Sequence, residues 1–179
     1  MDKCENIEKL YSEISALSHE LVEHCAARGI RLATAESCTG GMISAALTSV
    51  SGSSAVIEFG LCSYSNRIKH EALGVLEDTL IKYTEYSGEC AEEMALGARR
   101  ASGADIAVST TGVAGPTGGT ETAPVGTVFI GISTVCGTES ARFSFGGDRG
   151  EVRAAAAKAA LEMLARAAGI YIKKGDSNG

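Results

Sequence analysis

A chain of 179 residues with a formal net charge of −6, no tryptophan and only 5% aromatic residues offers neither the basic surface nor the stacking platforms of a nucleic-acid binder. Apolar residues at 45% and charged residues at 21% are those of a soluble globule of one domain. No apolar run approaches the ~18 residues that a bilayer requires, and a start carrying Asp2, Lys3, Glu5, Glu8 and Lys9 is not that of a signal peptide, so a cytoplasmic protein with no membrane partner is expected.

In chain order, apolar side chains at Ile7, Leu10, Tyr11, Ile14, Leu17, Leu21, Val22 and Cys25 recur at helical spacing and predict a helix over residues 6–28, stopped by Gly29. His19 and His24 fall on its polar side and read as solvated. Residues 31–35 read as a strand, 36–41 as a tight turn of small residues, and 42–47 as a helix. After a loop at 51–54 comes a strand within 55–64, a short helix over 67–73 closed by Gly74, and a short helix or loop over 77–85. The spacing of Cys90, Ala91, Met94, Ala95, Leu96 and Ala98 predicts a helix over 89–102, stopped by Gly103. A buried strand at 105–110 runs into the glycine-rich segment 111–120. Strands at 125–134 and 139–145, joined by the turn Cys136-Gly137-Thr138, precede an alanine-rich helix over 151–168. Residues 173–179 are polar and expected to fray. Alternating helices and strands that end in a hairpin predict an α/β fold: a three-layer α/β/α sandwich on a mixed, mostly parallel sheet, forming one domain over 1–179.

Four places carry chemistry. Ser37, at a strand-to-helix turn, is either the cap of the following helix or a nucleophile beside outward-pointing amides that make an anion site. The segment with Gly112, Gly115, Gly118 and Gly119 is neither a Walker A loop nor a dinucleotide fingerprint; it is a plain loop or a close-approach ligand loop. Lys69, following Tyr64-Ser65-Asn66, falls near the first turn of a helix if Asn66 is its cap. It is then either a solvated lysine or one with a depressed pKa, since a free lysine near ~10.4 stays protonated at neutral pH and cannot act as a base. Arg149 can clamp a carboxylate or phosphate, or simply begin a helix that Asp148 caps. The six cysteines are scattered with no Cys-x-x-Cys pair, and only Cys38 adjoins a candidate site, so no metal site is expected.

Together, Thr34-Ala35-Glu36-Ser37-Cys38-Thr39-Gly40-Gly41, then Tyr64-Ser65-Asn66 with Lys69 and Leu73-Gly74-Val75, then Thr111-Gly112-Val113-Ala114-Gly115-Pro116 with Gly118-Gly119 and Pro124-Val125-Gly126-Thr127-Val128, then Gly147-Asp148-Arg149, resemble the CinA carboxy-terminal domain family. The resemblance runs in order over about residues 8–168. It implies a serine–lysine amidase that deamidates nicotinamide mononucleotide, a pyridine mononucleotide, with no cofactor and no metal. It puts the nucleophile on Ser37, the base on Lys69, a supporting hydroxyl on Tyr64, and substrate contacts on Thr39, Gly40, Thr111, Gly112 and Arg149. Family members commonly self-associate, which implies a homodimer. The alternative is a non-catalytic nucleotide-binding or protein-interaction module of the same family. The larger two-domain members carry an amino-terminal domain with no counterpart in this sequence. The family usually has a small apolar residue before the serine at position 87, where this sequence has Tyr86, a change expected to reshape a pocket edge or an interface.

Overall fold

The computed structural model of the chain describes residues 3–170, so the tail at 173–179 lies outside the described residues. The elements are α1 (Lys3–Arg28), β1 (Leu32–Glu36), α2 (Met42–Thr48), β2 (Ile57–Cys62), α3 (Asn66–Leu73), α4 (Glu77–Lys82), α5 (Gly88–Ser102), β3 (Ile106–Gly112), β4 (Thr127–Thr134), β5 (Gly137–Ser144) and α6 (Arg149–Ala167). The strands form one sheet in the order β2-β1-β3-β4-β5. β1 runs parallel to both β2 and β3, whereas β4 is antiparallel to both β3 and β5. The sheet is therefore mixed, and β4 alone runs against the other strands. No helix among the described residues is long and apolar enough to cross a membrane.

Burial explains the strand sequences. β1 and β3 lie inside the sheet with helices on both faces, so nearly every position is buried and the sequences show no polar alternation. The edge strands β2 and β5 alternate between more and less covered positions. On one face Leu32, Val108 and Ile130 pack with Leu21, Val22 and Cys25 of α1, Ile43 and Leu47 of α2, and Leu161 and Leu164 of α6. On the other face the small residues Ala33, Ala35 and Ala107 meet Cys90, Met94 and Ala98 of α5 and Leu73 of α3. Small side chains here let α5 approach closely: a Cβ on Gly131 of β4 would sit 2.4 Å from the Ala91 carbonyl oxygen. His24, read as solvated, instead bonds the Ala168 carbonyl oxygen through Nε2 at 2.9 Å and ties α1 to the end of α6.

The connections leave the neighbouring parallel strands β1 and β2 on opposite faces. α2 carries the chain from β1 to β2 on one face, while α3, α4 and α5 carry it from β2 to β3 on the other. A crevice opens where neighbouring parallel strands part in this way, at their carboxyl ends, and α/β sheets bind ligands there. Ser37, Tyr64 and Gly112 all stand at the carboxyl ends of β1, β2 and β3.

Candidate active site

Ser37 follows β1 and extends its ladder, donating its N–H to the Thr110 carbonyl oxygen at 2.9 Å. Neither Ser37 nor Thr39 caps α2. That task falls to Glu36, the last residue of β1, whose side chain is fully buried. Its carboxylate accepts from the N–H groups of Gly41 at 3.0 Å, Ile43 at 3.1 Å and Ser44 at 2.8 Å, and from the hydroxyls of Ser44 at 2.8 Å and Thr39 at 2.7 Å. The anion site expected at the start of α2 is thus filled by the protein's own carboxylate, which suits both the donors and the helix dipole. The amides of Cys38 and Thr39 are different: among the described residues no carbonyl, carboxylate or hydroxyl oxygen accepts from them. Glu36 carried no signal beyond its place in the motif, because it stands five residues before the N-cap position Gly41 and reaches the helix start only when the chain folds back.

Lys69 is set by a short helix pinned at both ends. Ser65, not Asn66, is the N-cap of α3, its hydroxyl accepting from Ile68 N–H at 3.3 Å. At the other end Gly74 adopts φ 71° and donates to the His70 carbonyl oxygen at 2.9 Å, an αL cap, and Val75 donates to the Lys69 carbonyl oxygen at 3.1 Å. Lys69 is only 2% exposed, and its Nζ lies 3.1 Å from Ser37 Oγ. Among the described residues no carboxylate forms an ion pair with it. Burial holds its pKa below 10.5, opposed by the weaker pull of neighbours that include Glu85. Burial also pushes the Cys38 thiol up to about 11, so it stays protonated beside Ser37.

Ser37, Cys38, Tyr64, Lys69, Gly112 and Arg149 share one open cleft, with Glu85 and Tyr86 as a further wall. Its 110 Å³ is below the ~300 Å³ of a small closed ligand pocket, so it encloses the reacting end of a ligand and leaves the rest along its mouth. Gly112 has φ 157°, and a Cβ there would meet the Thr127 carbonyl oxygen at 2.3 Å, so only glycine lines this floor. Arg149, at the start of α6, donates to the Gly115 carbonyl oxygen at 2.7 Å and to the Tyr64 hydroxyl at 3.0 Å. Neutral partners hold the guanidinium in place without cancelling its charge, and no carboxylate pairs with it among the described residues. Asp148 begins α6 with a reciprocal capping box to Glu151.

Three of the expected contacts lie outside the cleft lining. Thr39 is fully buried, with its hydroxyl between Glu36 and Thr110. Gly40 is an exposed residue of the turn itself, donating its N–H to the Ser37 carbonyl oxygen at 3.2 Å, and a Cβ there would lie 3.1 Å from Arg153 Nη2. Thr111 is turned to the loop before α5, its hydroxyl donating to the Glu85 carbonyl oxygen at 2.6 Å. Tyr64 is in the cleft but 67% exposed, with its hydroxyl on Arg149 rather than on Ser37 or Lys69. Two residues that no motif singled out complete the site. Arg153 of α6 donates to the Thr39 carbonyl oxygen at 2.8 Å and clamps the Ser37 turn, and Glu85 brings a carboxylate into the cleft wall. Among the described residues no group of three or more His, Cys, Asp or Glu side chains is placed to hold a metal ion.

Comparison with known proteins agrees with this architecture. The family model described as the CinA C-terminal domain matches residues 14–168. A putative competence-damage inducible protein of Caldicellulosiruptor saccharolyticus is 49% identical over 83% of this chain and 36% of its own length. The chain thus spans little more than a third of that relative. The nicotinamide-nucleotide amidohydrolase PncC of Escherichia coli is 44% identical over 86% of this chain and 93% of its own. The crystal structure of the competence/damage inducible protein CihA from Agrobacterium tumefaciens superposes with a TM-score of 0.85 at 39% identity, covering 88% of this chain and 96% of that one.

Proposed function

Because the chain belongs to the CinA C-terminal domain family, we propose that it is an amidohydrolase that converts nicotinamide mononucleotide and water to nicotinic acid mononucleotide and ammonia through a serine–lysine dyad. The observation that carries this reading is the 3.1 Å approach of Lys69 Nζ to Ser37 Oγ with both residues buried. A pure binding module has no use for a lysine desolvated against a serine hydroxyl, because burying an amine without a carboxylate is costly unless the amine is neutral. The name and 93% coverage of the Escherichia coli relative support the substrate.

When Lys69 is protonated, its Nζ donates to Ser37 Oγ. Once the amine is neutral, its lone pair accepts the Ser37 proton across the same distance while Oγ attacks the carboxamide carbon. The oxyanion that forms accepts from the N–H of Cys38, the amide next to the nucleophile and one left without an oxygen acceptor. Lys69 then gives its proton to the departing nitrogen, and ammonia leaves. A water molecule, deprotonated by the again neutral Lys69, attacks the acyl-serine ester, and the acid is released as Ser37 recovers its proton. Arg149 pairs with the phosphate at the cleft mouth, and Tyr64 acts through it, holding the guanidinium from the outer side. Ammonia release from nicotinamide mononucleotide, coupled to glutamate dehydrogenase, tests the reaction; no release above the uncatalysed rate by the purified protein refutes it.

The same reading carries a cytoplasmic homodimer. The described cysteines Cys25, Cys38, Cys62, Cys90 and Cys136 are all free thiols, in keeping with a reducing compartment. Leu76 and Ile81 are 58% and 81% exposed near α4, an apolar surface for a second copy. Light scattering that returns the mass of one chain at micromolar concentration counts against the dimer.

A further inference from the structure

Glu85 and Tyr86 line the cleft, yet the deamidation steps give neither of them a task. They belong to the link between α4 and α5, and that link is held firmly. Thr84 adopts φ 68°, a left-handed conformation that a β-branched residue rarely takes. Its hydroxyl accepts from Tyr86 N–H at 3.2 Å, and its carbonyl oxygen accepts from the Ser87 hydroxyl at 2.9 Å. The Ser87 hydroxyl in turn caps α5 by accepting from Cys90 N–H at 3.2 Å, and Thr111 anchors the Glu85 carbonyl oxygen from β3. The link is therefore a built wall. Among the described residues the Glu85 carboxylate forms no ion pair. Tyr86 makes no ring contact with another aromatic residue or a cation among the described residues, which leaves its face for a ligand.

We propose that Glu85 and Tyr86 form a recognition wall for a positively charged aromatic ring, so that the site selects an N-substituted pyridinium carboxamide over its neutral counterpart. The inference rests on the amidase reading above and names what that reading leaves open, the group that recognises the ring. A pyridinium ring bears its charge on the same six atoms that carry the reacting carboxamide. A carboxylate stabilises that charge directly, and the face of a tyrosine does so through its quadrupole. Without Glu85 the charge in the cleft would come from Arg149 and whatever proton Lys69 retains, which repels the ring. With it, the cleft matches a zwitterion: phosphate on Arg149, ring on Glu85 and Tyr86. Burial and the adjacent Glu85 carboxylate raise the Tyr86 pKa, so the phenol stays neutral. The product carries a new carboxylate on that ring, and Glu85 repels it, which favours release.

The test compares the wild type with Glu85→Gln and Tyr86→Leu. Nicotinamide mononucleotide is the substrate, and its reduced form, whose dihydropyridine ring is neutral, is the competitive inhibitor. Glu85→Gln is expected to raise KM about tenfold, with kcat and the inhibition constant of the reduced form both within about twofold of wild type. Tyr86→Leu is expected to raise KM about threefold or more. An inhibition constant that rises in step with KM overturns the proposal, because the wall then works by shape. A fall in kcat at unchanged KM overturns it too, because Glu85 then acts on the chemistry. A wild-type enzyme that turns over while Glu85→Gln leaves KM unmoved sinks this inference alone. A wild type that releases no ammonia sinks the amidase reading and this inference with it.

Discussion

Lys69 Nζ stands 3.1 Å from Ser37 Oγ although the two residues are 32 positions apart and lie on different elements. The contact joins the turn after β1 to the first full turn of α3, and both ends are fixed independently: the turn by Glu36 and Arg153, the helix by Ser65 and Gly74.

Ser37→Ala is expected to lower kcat by roughly a thousandfold or more while nicotinamide mononucleotide still binds, because the acyl-enzyme can no longer form. Cys38→Ala should keep most of the activity, since burial holds that thiol protonated at about 11. Ammonia release together with calorimetric binding separates the two roles, and a loss of turnover on Cys38→Ala alone would move the nucleophile.

Lys69→Arg should be as damaging as Lys69→Ala, since a guanidinium keeps its charge and cannot accept the serine proton. In the wild type kcat/KM should rise with pH through the depressed Lys69 pKa and then level off, as a base that must be neutral requires. A Lys69→Arg enzyme of near wild-type rate, or a flat pH profile, contradicts the dyad.

Lys69→Met should abolish activity yet stabilise the fold near neutral pH. The folded chain holds Lys69 below 10.5, so between the folded value and 10.5 the unfolded chain binds more protons and wild-type stability increases with pH. Below the folded value the wild type bears the full cost of burying an ammonium. The advantage of the methionine variant is therefore largest at low pH and fades as pH nears 10.5. Each ~1 kcal/mol of gain should appear as roughly 2–4 °C in Tm. Melting curves of both proteins across pH measure this, and a constant offset would argue against a lowered Lys69 pKa.

Glu36→Gln should destabilise the protein by about 2–3 kcal/mol, because the new amide group faces backbone donors and leaves buried N–H groups unpaired. Its kcat should fall as well, since the same carboxylate shapes the turn that carries Ser37. Urea unfolding and ammonia release check the two effects; an unchanged denaturation midpoint would contradict the capping role.

Tyr64→Phe should behave as a weakened Arg149→Ala. Both should raise KM for the phosphorylated substrate, by about threefold and about thirtyfold respectively, with kcat little changed. If Tyr64→Phe instead lowers kcat at constant KM, the hydroxyl works on the Ser37–Lys69 proton and not through Arg149.

Much of this protein could be read from local pattern alone. The stripe of α1, the glycine stops after α3 and α5, the strand and helix around the Ser37 turn and the cap at Asp148 depend on residues within a few positions of one another, and periodicity and turn chemistry report such contacts. Local pattern left Ser37, Lys69 and Arg149 each between a plain structural reading and a chemical one, and it was the resemblance of their motifs to the family that singled them out for the proposed reaction. Their environments were not legible in the sequence. Whether Lys69 is solvated or desolvated depends on α5 and the sheet closing over it, and whether the first amides of α2 are free depends on a strand carboxylate folding back onto them. The Tyr64–Arg149 and Arg153–Thr39 contacts span 85 and 114 positions, and the Glu85 wall is positioned by Thr111 from another strand. Charge, burial and hydrogen-bond supply are sums over neighbours brought in from the whole chain, so the sequence by itself determined which groups were present and the tertiary structure decided which of them are buried, which are occupied, and which face the cleft.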